Sequence, residues 1–373
     1  MNSSSFYKAR IKRLYVTSDA VGLEAVQRAL GRLPHLAARA VDSLEEVPAA
    51  DRNLHTLCVT AFRGATLSAC PGTRVHRCCN YHTVDLYAGC PLGCSYCIMQ
   101  SYLQRAPVTV YADPSPAIAA IRAQALAHRH LPLRVGSGET GDSLLYDPLF
   151  EITRRYISEL ADLDNVYFEA KTKTDFVDQL LDIEPKGNAV IGFSVNAPRF
   201  AAEEGASAPL AARLQAAQRA ARAGFLVAFH FDPLFGSAAN GRSGQDGNRD
   251  AAAAYARVAA QLAAAVPAER VAWISLGTVR YTPALKAHIS RPYIHDEFVC
   301  CADGKFRYIQ RERVALYRSV VQALREYLRP IPPIYLCMES DAVWYRVFGS
   351  LPQQIDGLRT LFAAAPQRGE ELP

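Results

Sequence analysis

The sequence predicts an α/β protein built on a partial (β/α)6 barrel of parallel strands, with a small N-terminal α/β segment and a C-terminal extension. From residue 83 onward, six short apolar runs each precede a stretch with helical periodicity. Right-handed connections between parallel strands place such helices outside a curled sheet. A closed barrel needs eight units, so six units predict an open one. A doubly wound sheet is the alternative.

The N-terminal segment, residues 1–82, has its own short α/β pattern. An apolar strand is predicted at Leu14–Thr17, an amphipathic helix at Gly22–Leu33 and a second strand at Leu54–Val59. This pattern precedes the regular repeat and predicts a separate small unit.

The partial barrel is assigned to residues 83–290. Its predicted strands are Val84–Tyr87, Leu133–Val135, Val166–Ala170, Ala189–Ser194, Leu226–Phe231 and Val271–Leu276. Its predicted helices are Ser95–Leu103, Pro116–Ala127, Asp147–Ala161, Asp175–Leu181, Pro209–Ala223, Arg249–Ala265 and Pro283–Ile289.

The C-terminal extension, residues 291–373, does not continue the strand–helix repeat of the barrel. A short basic and aromatic run at Gly304–Gln310 precedes a strong helix at Arg311–Tyr327, and the apolar run Pro333–Met338 could add one strand.

Composition narrows the class of protein. Half of the 373 residues are hydrophobic, which is enough to bury a core and excludes a disordered chain. No run approaches twenty uninterrupted apolar residues, so no membrane span is expected. The N-terminus has no apolar stretch typical of a secretory signal, and we expect a cytoplasmic protein. The formal charge of +5 permits a polyanionic partner without requiring one.

The strongest chemical signal is a cysteine triplet with CX3CX2C spacing. Cys90, Cys94 and Cys97 can surround one soft metal centre, because Gly93 lets the backbone turn tightly between them. A cubane iron–sulfur cluster normally takes four cysteines, so three would leave one iron open. The alternative is a zinc site, whose fourth ligand would come from the set Cys78, Cys79 and His82.

This triplet, with an aromatic residue before its last cysteine, resembles that of the radical S-adenosylmethionine (SAM) enzymes. The segments Phe168–Lys173, Val177–Leu181 and Phe193–Ala197 resemble the corresponding stretches of the spore photoproduct lyase branch. The resemblance covers residues 83–235 well and both ends loosely. It implies a lyase-like enzyme acting on a thymine photolesion or a related lesion in DNA.

The resemblance also implies cofactors and the residues that hold them. Cys90, Cys94 and Cys97 would bind a [4Fe-4S] cluster whose open iron binds SAM. Lys173 could meet the carboxylate of SAM, Ser194 its ribose or carboxylate, and Glu139 its ammonium group. Asp142 is a lesser cofactor candidate and also fits an N-cap. Without the resemblance, a solvated lysine, a strand-end hydroxyl and a capped turn would explain the last four residues.

Two departures from the family pattern concern catalysis. The lyase branch has a hydrogen-donating cysteine at the position of Glu139, and a tyrosine at the position of Ile98. Tyr96 and Glu139 therefore remain as the candidate catalytic residues. Cys337 is the thiol that we expect to come nearest to the barrel mouth.

The expected partners follow from the same resemblance. Lys305, Arg307 and Tyr308 lie in a basic and aromatic stretch comparable to a DNA-binding region of the lyase, although a solvated hairpin explains them equally well. His230 and Asp232, at the end of the fifth strand, are acid–base candidates with a structural alternative. A reductase, flavodoxin or ferredoxin would supply electrons, and the oligomeric state stays open.

Three functions are therefore carried forward. The first is a lyase-like radical SAM enzyme acting on DNA, and the second is a radical SAM enzyme with a different substrate. The third is a zinc-stabilised nucleic-acid-binding protein.

Overall fold

A computed structural model describes residues 3–62, 66–72, 76–103, 107–236, 245–286 and 298–362, with the backbone alone at 245–249. Among them, none of the helices combines the length and the apolar composition needed to cross a bilayer.

The described residues form sixteen strands. In chain order they are β1 (Arg13–Thr17), β2 (Ala38–Val41), β3 (Thr56–Thr60), β4 (Ser68–Ala69), β5 (His82–Thr83), β6 (Tyr87–Ala88), β7 (Val108–Tyr111), β8 (Leu133–Ser137), β9 (Val166–Thr172), β10 (Val190–Ser194), β11 (Leu226–Leu234), β12 (Val271–Thr278), β13 (Arg280–Tyr281), β14 (Phe298–Cys300), β15 (Phe306–Tyr308) and β16 (Ile334–Leu336).

The α-helices of the same residues are α1 (Ser3–Arg10), α2 (Glu24–Arg32), α3 (Met99–Tyr102), α4 (Ser115–Ala127), α5 (Asp147–Phe150), α6 (Ile152–Leu160), α7 (Leu210–Arg222), α8 (Gln245–Ala265), α9 (Pro283–Lys286), α10 (Gln310–Tyr327) and α11 (Asp341–Phe348).

The main sheet has eight strands in the order β16-β12-β11-β10-β9-β8-β5-β4. All neighbouring pairs from β16 to β5 are parallel, and only β4 runs antiparallel. The predicted α/β class with a curled parallel sheet is confirmed. The sheet has seven parallel strands rather than six, because the run at residues 333–338 supplies β16.

The sheet curls strongly, as one contact across its interior shows. Arg134 on β8 donates a hydrogen bond of 3.0 Å to the hydroxyl of Tyr335 on β16, five strands away in the sheet. In a flat sheet, strands about 4.8 Å apart would separate the two residues by roughly 24 Å. The interior of the curl is therefore enclosed by side chains from both ends of the sheet.

Alternation along the strands separates an apolar outer face from a polar inner face. On β9, Phe168 points outward and stacks on Tyr156 of α6, with ring centroids 4.8 Å apart. Tyr167 and Glu169 point inward. The polar groups of β9 thus line the interior, while the outer helices cover its apolar groups.

The smaller sheet, of order β2-β1-β3-β7-β6, does not follow the predicted domain boundary at residue 82. It takes β6 and β7 from the predicted barrel region, whereas β4 and β5 join the main sheet. The predicted strand Val84–Tyr87 is corrected accordingly: His82–Thr83 pairs with β8, and Tyr87–Ala88 pairs antiparallel with β7. A third sheet, β13-β15-β14, lies in the C-terminal part.

Three predicted helices are shorter than expected. The helix predicted at Ser95–Leu103 is only the single turn Met99–Tyr102, because the cysteine loop occupies its start. The helix predicted at Asp147–Ala161 breaks at Glu151, whose φ is 53°. The helix predicted at Asp175–Leu181 is a 3₁₀ turn, and residues 287–289 of the last predicted helix lie outside the described residues.

Candidate active site

One cavity of about 160 Å³ opens between the cysteine loop, Cys90–Cys97, and the ends of strands β8 to β10. The residues that line it are Cys90, Leu92, Cys94, Tyr96, Cys97, Met99, Gly138, Glu139, Thr140, Gly141, Asp142, Lys171, Thr172, Lys173 and Ser194. All three cysteines of the triplet and all four cofactor candidates from the sequence lie together on its wall.

The cysteine loop is held by the segment that ends the 3₁₀ helix Pro198–Glu204. The backbone NH of Ser95 donates to the carbonyl of Glu203 at 2.9 Å, and the NH of Ala206 donates to Leu92 at 2.7 Å. Between them Gly205 has φ +56°, and a side chain there would overlap the Leu92 carbonyl. Glycine at 205 therefore lets the two segments approach closely.

Beneath the loop lies a group of four residues that we call the Glu204 cluster: Tyr96, Lys173, Glu204 and Arg213. Lys173 Nζ donates to Glu204 Oε1 at 3.0 Å, and the Tyr96 hydroxyl donates to the same oxygen at 3.1 Å. Arg213 donates to Glu204 Oε2 and, at 2.7 Å, to the carbonyl of Ser194. The cluster ties the cysteine loop to the ends of β9 and β10.

The charge of Glu204 is stabilised by this arrangement. Burial raises the pKa of the carboxyl, but the charges and hydrogen bonds of Lys173 and Arg213 outweigh it and lower the pKa to about 2. Burial also raises the pKa of the Tyr96 hydroxyl, and neighbouring Glu204 raises it further. Tyr96 therefore remains a protonated donor.

The three loop thiols share one electrostatic environment. Burial raises the pKa of Cys90, Cys94 and Cys97, and Lys173 opposes this effect at Cys94 and Cys97. Thiols held this way are neutral near pH 7, and a bound metal would displace their protons.

Asp142 holds the backbone in place. Its Oδ1 accepts from the NH groups of Leu144 and Leu145 at 3.0 Å each and from the Thr172 hydroxyl at 2.8 Å. Its Oδ2 accepts from the NH of Lys173 at 2.7 Å. A carboxylate has about four acceptor positions, so these four bonds leave little capacity for a ligand. The capped-turn interpretation explains Asp142, which fixes the backbone beside the cavity.

Glu139 also lines the cavity, in a glycine-rich turn after β8. Gly138 has φ +93°, and the hydroxyl of Thr140 anchors the turn by donating to Asp85 at 2.8 Å. Burial raises the pKa of the Glu139 carboxyl, while a hydrogen bond from Thr83 and the charge of Lys171 oppose the rise. The carboxyl faces the cavity without an ion-pair partner within 4 Å among the described residues.

Deeper in the barrel lies a second group, the Glu169 cluster: Tyr81, Glu169, Lys171, His230 and Ser275. His230 Nε2 lies 2.5 Å from Glu169 Oε1, and His230 Nδ1 lies 2.6 Å from the Ser275 hydroxyl. The Tyr81 hydroxyl donates to Glu169 Oε2. Burial raises the pKa of Glu169, but His230, Lys171 and Tyr81 together lower it to about 2.

Two glycines make room for the Glu169 cluster. A side chain at Gly192 on β10 would overlap the Glu169 carboxylate and lie 3.0 Å from His230 Nε2. A side chain at Gly136 on β8 would overlap the Tyr81 hydroxyl. Glutamate on β9 and histidine on β11 can therefore meet across the strand that separates them. The acid–base candidate His230 is a buried member of this cluster.

The three residues that the sequence analysis proposed as DNA contacts lie in the C-terminal extension. Arg307 is 1% exposed and forms a two-pronged ion pair with Asp303, at 2.5 and 2.7 Å. Tyr308 is buried and accepts from the NH of Gly236 at 3.1 Å. Neither is free to contact DNA at the surface in this arrangement, because packing consumes both polar groups. Lys305 is half-buried and keeps its ammonium uncommitted to hydrogen bonds with described residues.

The remaining cysteines lie elsewhere. Cys78, Cys79 and His82, the alternative zinc ligands, do not line the cavity. Cys337 follows β16, where its NH donates to Leu276 at 2.8 Å, and the thiols of Cys70 and Cys79 are among its electrostatic neighbours. Among the described residues, no three histidine, cysteine or acidic side chains converge on one ion. A mononuclear zinc site needs such convergence, whereas each cysteine of a cubane binds a different iron.

Sequence reasoning missed four of the polar residues at the site: Tyr81, Glu169, Lys171 and Glu204. For Lys171 a signal existed, because residues two apart on a strand share a face and Lys173 was already a candidate. Glu204 had no such signal, since it reaches Lys173 from a separate segment.

A curled parallel sheet with a three-cysteine loop at its mouth defines the fold of the radical SAM class, and the donor set fits that class. The chain belongs to the spore photoproduct lyase family, whose sequence profile matches residues 75–299. The resemblance found in the sequence is thereby confirmed.

Individual relatives agree with the family. Spore photoproduct lyase of Geobacillus sp. (strain Y412MC61) is 30% identical over 159 residues, which are 41% of this chain and 46% of that protein. The aligned stretch thus spans less than half the length of that curated relative.

Solved structures extend the likeness of the fold. A double mutant of spore photoproduct lyase with bound AdoMet and dinucleoside spore photoproduct superposes with a TM-score of 0.73 at 19% identity. A spore photoproduct lyase complexed with dinucleoside spore photoproduct gives 0.71 at 19% identity. Each comparison covers 87% of this chain and 98% of the other.

Proposed function

We propose that this protein is a radical SAM enzyme of the lyase type that acts on a thymine photolesion, or a related lesion, in DNA. The observation that carries the proposal is the shared cavity. It joins the three thiols of the cysteine loop to Glu139, Lys173 and Ser194, on three separate strand ends.

Cys90, Cys94 and Cys97 would hold a [4Fe-4S] cluster, with SAM beside it. When bound, that pair supplies a 5′-deoxyadenosyl radical for hydrogen abstraction. The chain itself binds and orients the groups and keeps water away. The buried Glu204 cluster serves this task by fixing the loop against β9 and β10.

The cavity wall offers SAM three kinds of contact. Lys173 uses one of its three N–H donors on Glu204, so two remain for a carboxylate. The Ser194 hydroxyl makes no hydrogen bond to a described residue and lies on the same wall. Glu139 would accept a hydrogen bond from the ammonium group of SAM.

The substrate and partners rest on the relatives. The solved relatives bind dinucleoside spore photoproduct, and this supports a dinucleotide lesion as the substrate here. Lys305 is the member of the predicted DNA-contacting stretch with an uncommitted charge. A reductase, flavodoxin or ferredoxin in the cytoplasm would supply the electron.

Anaerobic SAM cleavage is the direct test. We expect the reduced, reconstituted protein to release 5′-deoxyadenosine from SAM. Lys173→Ala and Glu139→Ala should weaken SAM binding while leaving the iron content unchanged. Wild-type SAM affinity in both variants would contradict the pocket assignment. Exposed Lys12→Ala is the matched control, because it removes the same charge at a residue that does not line the cavity.

A second candidate is a radical SAM enzyme with a substrate other than DNA. The burial of Arg307 and Tyr308 favours it, because these residues cannot form the expected basic surface. Binding to lesion-bearing duplex DNA that weakens as salt rises would support the first proposal. Salt-independent or absent binding would support the second.

A further inference from the structure

Lys171 lines the cavity, but the proposed binding of the cluster and of SAM does not use it. It lies on β9, two residues before Lys173, which directly follows that strand, and both residues line the same cavity. The side chain of Lys171 is 32% exposed, and its ammonium lies beside Tyr81 and Glu169.

The ammonium of Lys171 lies within ion-pair distance of Glu169 but makes no hydrogen bond to a described residue. It lies 4.0 Å from the centroid of the Tyr81 ring, a cation–π contact. Its distance to Glu169 Oε2 is 3.9 Å, beyond hydrogen-bond length, and His230 and Tyr81 already bind that carboxylate. Among the described residues, no acceptor takes a hydrogen bond from Lys171 Nζ.

Lys173 differs in this respect. Its ammonium donates directly to Glu204 at 3.0 Å, so part of its charge is compensated inside the protein. Glu139 lines the same cavity but is not within ion-pair distance of Lys171, whose ion pair among the described residues is with Glu169. Three N–H donors of Lys171 are thus available to an anionic ligand.

We propose that Lys171 binds an anionic oxygen of the substrate, namely the phosphodiester that links the two nucleosides of the lesion. This inference rests on the proposed function. Tyr81 and Glu169 position the ammonium before the substrate arrives, so little side-chain entropy is lost on binding. The carboxylate of SAM is the other source of the same chemistry, and the experiment separates the two.

The test uses a pair of ligands that differ by one group. Dinucleoside spore photoproduct lacks the linking phosphate, and the corresponding dinucleotide has it. Binding of each to the full chain is measured by calorimetry, with and without SAM, for wild type, Lys171→Met and Lys171→Arg. Lys12→Met is the control for loss of one positive charge.

We expect Lys171→Met to weaken dinucleotide binding by roughly 10- to 100-fold and to leave dinucleoside binding unchanged. Lys171→Arg should retain most of the affinity, and wild type should bind the dinucleotide less well as salt rises. Circular dichroism of each variant confirms that it is folded. Methionine keeps the length of the stem, so packing against Tyr81 is preserved.

Three results would overturn the inference. Unchanged dinucleotide affinity in Lys171→Met would overturn it alone and leave the proposed function intact. Loss of SAM affinity with unchanged dinucleotide affinity would assign Lys171 to the cofactor instead. Failure of the wild type to bind either ligand would overturn the proposed substrate together with the inference.

Discussion

The Glu204 and Glu169 clusters each place a buried carboxylate between two basic side chains, yet they leave their lysines in different states. In the Glu204 cluster, Lys173 and Arg213 both donate directly to the carboxylate. In the Glu169 cluster, His230 and Tyr81 occupy the carboxylate, and Lys171 remains 3.9 Å away. Both carboxyls have a pKa of about 2.

The two clusters therefore have different roles. The Glu204 cluster holds the cysteine loop in place, and the Glu169 cluster leaves the charge of Lys171 available to a ligand. Direct ion pairs at Glu204 join the cysteine loop to two strands, so they stabilise the shape of the site. The looser contact at Glu169 fixes the direction of Lys171 while its donors stay free. Similar groups thus stabilise the structure of the site in one cluster and bind a ligand in the other.

The largest expected effect is that of Glu204→Gln. Removing this charge leaves Lys173 and Arg213 without their counter-ion, and we expect the free energy of unfolding to fall by about 3–5 kcal/mol. Glu169→Gln should cost only about 1–2 kcal/mol, because Lys171 lies 3.9 Å from the carboxylate and is partly exposed. Urea denaturation of both variants measures the two values. Equal losses would contradict the distinction between the clusters.

Substitutions at two glycines test whether the segment around Gly205 must pack closely against the cysteine loop. Gly205→Ala should destabilise the protein by about 3 kcal/mol and impair iron uptake, because the new methyl group overlaps backbone atoms of the loop. Gly93→Ala is the matched control, since its φ is +75° but no atom lies within 4 Å of the added Cβ. There we expect only about 1 kcal/mol of backbone strain. Similar costs at both positions would show that contact with the loop is unimportant.

Acid should weaken both clusters. A carboxyl whose pKa is lowered in the folded state stabilises the protein above its unfolded pKa, and that stability disappears as pH falls toward the folded value. With folded values of about 2, each carboxylate should lose about 2 kcal/mol of stabilisation by pH 3. Unfolding measured at pH 6 and pH 3 should show a smaller difference for Glu169→Gln than for wild type. An unchanged difference would contradict the lowered pKa.

The smallest effect on folding is expected from Glu139→Cys, which should instead change the products. The resemblance places a hydrogen-donating cysteine at the position of Glu139, and under the proposed function the carboxyl O–H bond found there is too strong to donate a hydrogen atom efficiently. Wild type should therefore form two thymines from the spore photoproduct dinucleotide only as a minor product. The variant should raise that yield, and Glu139→Ser should not, as measured by mass spectrometry. Efficient repair by wild type, undiminished in Cys337→Ala, would refute this account.

Periodicity predicted the elements of the barrel better than their ends. The five strands from β8 to β12 were predicted because each is an apolar run in front of a helix. The first strand was misplaced, because a two-residue strand such as His82–Thr83 leaves no periodic signal. His82–Thr83 joins one sheet and Tyr87–Ala88 another because each pairs with a strand that is distant in the sequence.

The candidate site was likewise predictable from the sequence only in part. Spacing identified the cysteine triplet, and the family resemblance, together with their places at strand ends, pointed to Glu139, Lys173 and Ser194. The Glu204 and Glu169 clusters were beyond reach, because contacts such as those of Tyr81 and His230 with Glu169 span 88 and 61 residues. Burial of Arg307 was also unpredictable, since its pairing with Asp303 depends on the surrounding sheet.

The central claim is that the cavity beside the cysteine loop holds an iron–sulfur cluster, and metal analysis after anaerobic reconstitution tests it most directly. We expect about four irons per chain with the absorbance of a cubane cluster, and their loss in Cys94→Ala. Loading should improve as pH rises, because the loop thiols must lose protons that burial makes them retain. Stoichiometric zinc without iron–sulfur absorbance, in protein kept free of oxygen, would contradict the account.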